Sequence, residues 1–165
     1  MDRIKFATII SIILMISSVS GCLGIGASAK NQYANYLNEF NNGNLDFNHA
    51  NSHYDKAIKY YGARHYEEAA SEMSAARNGY NDASQHYDKM VTYSDNEDQH
   101  KYAESLELEA QNCMYASASF MDAYNAYAMK DITRGNKLLE DANNYVEQAK
   151  KYYDRAISYE SKAIK

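Results

Sequence analysis

Between Gly135 and Lys165 two lines of uncharged residues repeat every seven positions, and no other feature limits so strongly what this chain can fold into. One line is Ala142, Ala149, Ala156 and Ala163; the other is Leu138, Tyr145, Tyr152 and Tyr159. Two uncharged positions per heptad, alternately three and four apart, mark the seam of a helix packed lengthwise on other helices. Alanine lets neighbouring backbones approach to the short end of the ~8–10 Å range, with tyrosine expected to fill the gaps between. After Gly135 neither Gly nor Pro interrupts the segment, and charges stand off the seam.

The same spacing runs through the rest of the body. Tyr66, Ala69, Met73, Ala76, Tyr80, Ala83, Tyr87 and Met90 alternate by three and four, which predicts a helix from Tyr66 to about Tyr93. Ala103, Leu106, Ala110, Cys113, Ser117, Phe120, Tyr124 and Tyr127 form the next line, ending near Met129. Upstream, Tyr33, Leu37, Phe40, Phe47, Tyr54, Ile58 and Tyr61 keep a near-heptad spacing around Asn41-Asn42-Gly43-Asn44. Glycine costs about 1 kcal/mol inside a helix, so that stretch is a kink or a break. The preferred reading is one long helix from near Lys30, bent there. Pro is absent from the whole chain, which removes the commonest helix stop.

Turns are expected at Gly62–His65, at Ser94–Glu97 and around Lys130–Asp131. Ser94 and Glu97 have the spacing of a capping box, and Asp131 suits the N-cap of the last helix. The expected fold is all-α: four helices of about thirty residues, each ~45 Å long, in an up-down-up-down antiparallel bundle around one continuous core. Buried tyrosine hydroxyls should reach Asn or Ser on an adjacent helix, or solvent. Cys113 reads as a small apolar core residue.

An alternative architecture comes from Tyr60, Tyr66-Glu67-Glu68-Ala69, Met73 and Ala76, which are similar to the tetratricopeptide repeat. Its small–bulky–small spacing returns roughly 66 residues on, at Gly135, Leu139 and Ala142. The repeat's Pro is missing after Ala76, and between the copies the bulky position falls on Glu107. This resemblance implies a superhelix of helical hairpins that binds a protein or peptide.

At the front, Arg3 and Lys5 precede an apolar run from Phe6 to Ile16, followed by Val19-Ser20-Gly21-Cys22. The run is short for a spanning helix, which needs roughly 20 residues, and fits a signal-peptide core. Val-Ser-Gly-Cys resembles the lipobox of prokaryotic lipoproteins. The resemblance implies cleavage after Gly21 and lipidation of Cys22, dividing the chain into a signal peptide (1–21), a lipidated cysteine with a flexible tether (22–30) and a helical domain (31–165). An uncleaved signal anchor and an ordinary cleaved leader are the alternatives.

Formal net charge is −5, and removing Asp2, Arg3 and Lys5 (net +1) with the leader leaves −6. An acidic body is a poor phosphate binder, so no nucleic-acid partner is inferred. His49 and His53 lie four apart but flank the seam without an evident third ligand, and read as exposed. Glu97-Asp98-Gln99-His100 has the Glu-x-x-His spacing of di-iron bundles but occurs once. The seams of the last three helices carry no charged residue and no His, whereas catalysis wants polar groups converging in a dry pocket. Glu147 with Lys151, and Lys150, Asp154 and Arg155, read as a solvated face, with Tyr60, Tyr115 and Tyr153 as surface tyrosines. The expectation is therefore a non-catalytic lipoprotein on the extracytoplasmic face of the cell membrane. It would have a binding or structural role at the envelope, held by Cys22, with another envelope protein as partner. No cofactor, metal or small-molecule substrate is inferred.

Overall fold

A computed structural model describes residues 27–164, with side chains from Asn31 onward. The protein is all-α. Four long helices, α1 (Ala27–Gly62), α2 (Tyr66–Thr92), α3 (Glu97–Ala128) and α4 (Ile132–Ala163), run up-down-up-down. α1 starts at Ala27, so the last four residues of the stretch expected as tether are helical; residues 22–26 lie outside the described part. α1 also passes through Gly43 without a break.

Each helix packs on its neighbours in the chain: α1 on α2, α2 on α3, α3 on α4. The backbones of α1 and α3 come close at few points, but their side chains meet: Tyr36 donates to Gln99 O, and Phe40, Tyr54 and Tyr61 lie against Tyr102, Phe120 and Tyr124; among the described residues the backbone of α4 comes close to neither α1 nor α2. The bundle is therefore an open row with α1 and α4 at its edges. Its apolar interior gathers into two clusters of buried residues joined at Phe47, which packs against both. One gathers Met73, Phe120, Tyr124 and Tyr127 toward the α1–α2 and α3–α4 turns; the other gathers Tyr36, Tyr87, Met90 and Tyr102 toward the α2–α3 turn.

Edge position decides which seam residues are buried. α4 has one neighbour and buries one narrow line, Gly135, Ala142, Ala149, Ala156 and Ala163, with Val146 beside it. The tyrosine line does not fill the core: Tyr145 is 38% exposed, and Leu138, Tyr152 and Tyr159 are half-buried on the flank. α1 buries Tyr36, Gly43, Ala50 and Ala57, while Phe40, Tyr54 and Tyr61 are half-buried against rings of α3 and Ile58 is exposed. The seams of α2 and α3 are buried as expected, except that Tyr66 and Cys113 are half-buried.

The buried lines repeat at an offset of 66 residues. Tyr36, Gly43, Ala50 and Ala57 of α1 correspond to Tyr102, Glu109, Ala116 and Ala123 of α3, and all eight are buried. Ala69, Ala76, Ala83 and Met90 of α2 correspond in the same way to Gly135, Ala142, Ala149 and Ala156 of α4. The two hairpins also share a turn. At Arg64 and Lys130 the backbone has φ 63°. Arg64 N–H donates to Tyr61 O and His65 N–H to Tyr60 O; Lys130 N–H donates to Tyr127 O and Asp131 N–H to Ala126 O. Both are Schellman motifs, in which a left-handed residue lets its own amide and the next one satisfy the last carbonyls of the helix. Tyr61 and Tyr127 lie 5.8 Å apart between ring centroids, and Tyr66 and Tyr127 5.5 Å, joining the two turns at one end of the row.

At the other end, the capping box stands two residues later than expected. Asn96, not Ser94, accepts from Gln99 N–H at 3.0 Å, while Gln99 Oε1 accepts from Asp95 N–H at 2.8 Å. Ser94 Oγ instead donates to Met90 O. Asp131 caps α4 as expected, accepting from Arg134 N–H at 3.0 Å.

Tyrosine enters these interfaces through a recurrent notch, a small residue followed by Asn. Tyr87 lies over Gly43 and donates to Asn44 Oδ1 at 2.8 Å; Tyr127 lies over Gly135 and donates to Asn136 Oδ1 at 2.7 Å. Tyr80 donates to Asn51 Oδ1 at 2.6 Å, next to Ala50, which abuts Gly79. A Cβ at residue 43 would stand 2.6 Å from the Tyr87 ring, whereas one at residue 62 would meet nothing within 4 Å. Gly43→Ala should therefore lower stability by about 1–2 kcal/mol, overpacking outweighing the gain in helix propensity. Gly62→Ala should raise it by up to about 1 kcal/mol. Urea midpoints of the two variants moving in opposite directions would be the expected result.

Candidate functional site

The interior is not free of carboxylate, contrary to the expectation drawn from the seams. Glu109 lies between the two apolar clusters and is only 8% exposed. It belongs to the second buried line of α3, with Tyr102, Ala116 and Ala123. Burial first, and then the charge of Asp154 on α4, push its carboxyl up to about 8. Its field in turn reaches Tyr80 and Tyr87 on α2, Tyr102 and Cys113 on α3 and Tyr153 on α4. Glu109 takes the place that Gly43 holds in the first hairpin, where the ring of Tyr87 fills the space.

The chemistry available around Glu109 is limited. A carboxyl held neutral at pH 7 can donate a hydrogen bond or take up cationic charge by ionising. Cys113 lies one turn on, and although the residue is partly exposed, burial and then Glu109 push its thiol well above the ordinary range. A nucleophilic cysteine needs the reverse, an electropositive setting that favours thiolate. Burial likewise raises the phenols of Tyr80 and Tyr87, which stay protonated and serve as donors to Asn51 and Asn44.

The histidines tie α1 to α2. His53 Nδ1 lies 2.6 Å from Glu72 Oε2, while His49 is exposed. The pair His49 and His53 thus does not converge, and His53 is not the free surface residue expected. His86, which the periodicity did not single out, lies between two α1 carboxylates: Nδ1 is 2.5 Å from Glu39 Oε2 and Nε2 is 3.4 Å from Asp46 Oδ2. Among the described residues no group of three His, Cys, Asp or Glu is placed to hold a metal ion. Glu97 pairs with Lys101, not with His100, which is exposed.

On α4, Arg155 departs from the solvated face expected for it. Its Nη2 donates to Glu104 Oε2 on α3 at 2.8 Å. Lys150, Lys151, Asp154 and Glu147 are exposed. Tyr60 and Tyr115 are exposed as expected, and Tyr153 is half-buried. Gly21 and Cys22 lie outside the described residues. No helix of the described residues is long and apolar enough to cross a membrane.

Compared with protein-family models, with curated proteins and with solved structures, the chain matches none of them.

The buried carboxyl makes stability depend on pH with a definite sign. Folding raises the Glu109 carboxyl from 4.5 to about 8, so the folded state holds the proton where the unfolded state has lost it. That contribution is complete below about 4.5 and is lost as pH rises through about 8. A tenfold change in proton affinity is worth about 1.4 kcal/mol, so the decline across the window should reach a few kcal/mol. Urea unfolding at several pH values should show this decline in the native chain and lose it in Glu109→Gln.

Proposed function

We propose that the protein is a non-catalytic, lipid-anchored component of the extracytoplasmic face of the cell membrane, with a binding or structural role at the envelope. The observation that carries this is Val19-Ser20-Gly21-Cys22 behind a short basic and apolar leader. A diacylglyceryl group on Cys22 would anchor stably, where a single acyl chain holds only marginally. Five residue steps separate Cys22 from the start of α1, a reach of at most ~18 Å. The helical row would then stand close to the bilayer and extend outward from it, presenting its Schellman turns at the far end.

A second reading, a tetratricopeptide-like scaffold for a protein or peptide, is favoured by the stacked hairpins and their shared turn. Against an open peptide groove on the α1–α3 side, the chain's own rings meet there: Tyr54 with Phe120 at 5.8 Å, Tyr61 with Tyr124 at 4.8 Å and Phe40 with Tyr102 at 6.0 Å. The structural reading is therefore preferred.

Cys22→Ser should move the protein from the membrane fraction to the soluble fraction and abolish incorporation of labelled fatty acid. Retention of the variant in carbonate-washed membranes would remove the lipid-anchor reading and leave an uncleaved signal anchor in its place.

A further inference from the structure

The outward face of α1 differs from the other edge of the row in one respect. Between Asn31 and Ser52 none of its exposed residues is Asp, Glu, Lys or Arg, in a chain that is 24% charged. Instead it presents Asn31, Asn35, Asn38, Asn41 and Asn48, with Leu45 among them at 54% exposure and His49 as its one ionisable side chain. The charges that this stretch does carry, Glu39 and Asp46, turn to His86 on α2. The face of α4 at the other edge exposes Lys137, Glu140, Asp141, Glu147, Lys150 and Lys151 in the usual manner.

We infer that this face of α1 is a contact surface for a second copy of the chain, packed side by side and parallel in the same membrane; the inference rests on the lipid anchor proposed above. A two-fold contact requires a patch complementary to itself. Asparagine meets that condition because its amide both donates and accepts, whereas a face bearing fixed charge meets its own sign. The net charge of −6 left after leader removal sets copies apart elsewhere, so α1 is where they can approach at least electrostatic cost. Asn31, Asn38, Leu45 and Ser52 are spaced by seven, the line along which two helices lie lengthwise, and the contact ends there because the next step of seven is the exposed Lys59. Leu45 stands near the middle of that line, where burial contributes most to an interface.

The anchor supplies the rest of the geometry. Copies tethered by the same five residues present α1 pointing the same way and at matching height. Residues on the two-fold axis then meet their own counterparts. Confinement to a membrane raises the effective concentration, so a small polar contact suffices to hold the pair.

Single cysteines introduced into the full-length chain test this in native membranes, each read against the unsubstituted chain because the partly exposed Cys113 is present in all of them. Asn38→Cys and Ser52→Cys should give a reducible dimer on mild oxidation, and Asn144→Cys on the charged α4 face should give little. Adding Leu45→Lys should lower the Asn38→Cys dimer by about tenfold, the factor that accompanies a loss of about 1.4 kcal/mol. Its helical circular dichroism should stay unchanged, because Leu45 is exposed. Equal dimer yields from Asn38→Cys and Asn144→Cys, or indifference to Leu45→Lys, would overturn the contact. The anchor is read separately in the same samples: a dimer through Cys22 in the native chain, or protein in the soluble fraction, would remove it. An Asn38→Cys dimer that persists in that soluble fraction with the same dependence on Leu45 would still support the α1 contact.

Discussion

What holds this molecule together is a run of small residues at successive seventh positions, from Gly43 on α1 and from Gly135 on α4. Gly43, Ala50 and Ala57 on α1, and Gly135, Ala142, Ala149, Ala156 and Ala163 on α4, remove the bulk that would keep backbones apart. Close approach then allows the inner helices to send tyrosines across to the edges. At Gly43-Asn44 and Gly135-Asn136 the missing side chain makes room for a ring, and the next amide receives its hydroxyl. Apolar burial and hydrogen bonding are thus satisfied by one side chain at one place. This is how a core so rich in phenols leaves no enclosed polar side-chain atom without a partner among the described residues.

The two hairpins use this device on a shared plan but depart from it at Glu109. Where the first hairpin has Gly43 under Tyr87, the second has a carboxylate beside Asp154 and near Tyr153. A neutral glycine and an acid at equivalent buried positions make the halves unequal in their response to pH, although their backbones fold alike. The inequality falls at the point where the apolar clusters meet. The row therefore carries an ionisable group where its two apolar clusters adjoin.

Much of the architecture was legible in the sequence, and what was not has physical reasons. Heptad spacing predicts four helices, and the turn residues place their ends within a few positions. The spacing names two lines per helix, but a helix with one neighbour buries only one of them, so Tyr145 is exposed and Tyr152 half-buried while Ala149 is buried. An inner helix buries more than one line, and Glu109 lies on the one that a single-seam reading of α3 passes over. Tyr102, Ala116 and Ala123, spaced by seven around it, were the available signal. Likewise Asn96 and Gln99 offered a cap as good as Ser94 and Glu97. Gly43 is costly in an isolated helix, and it is kept because the Tyr87 ring occupies the place of its side chain.

Packing in chain order has a consequence for how the protein reaches this state. Most close backbone approaches join a helix to the next one along the chain, with the rings shared by α1 and α3 as the longer-range exception. Chains of that kind fold in microseconds to milliseconds, since little loop entropy is lost before contacts reward it. Each hairpin can close on its own matched turn, with no prolyl bond anywhere in the chain to isomerise. In a chain of this design each helix finds its main partner in the segment that directly follows or precedes it.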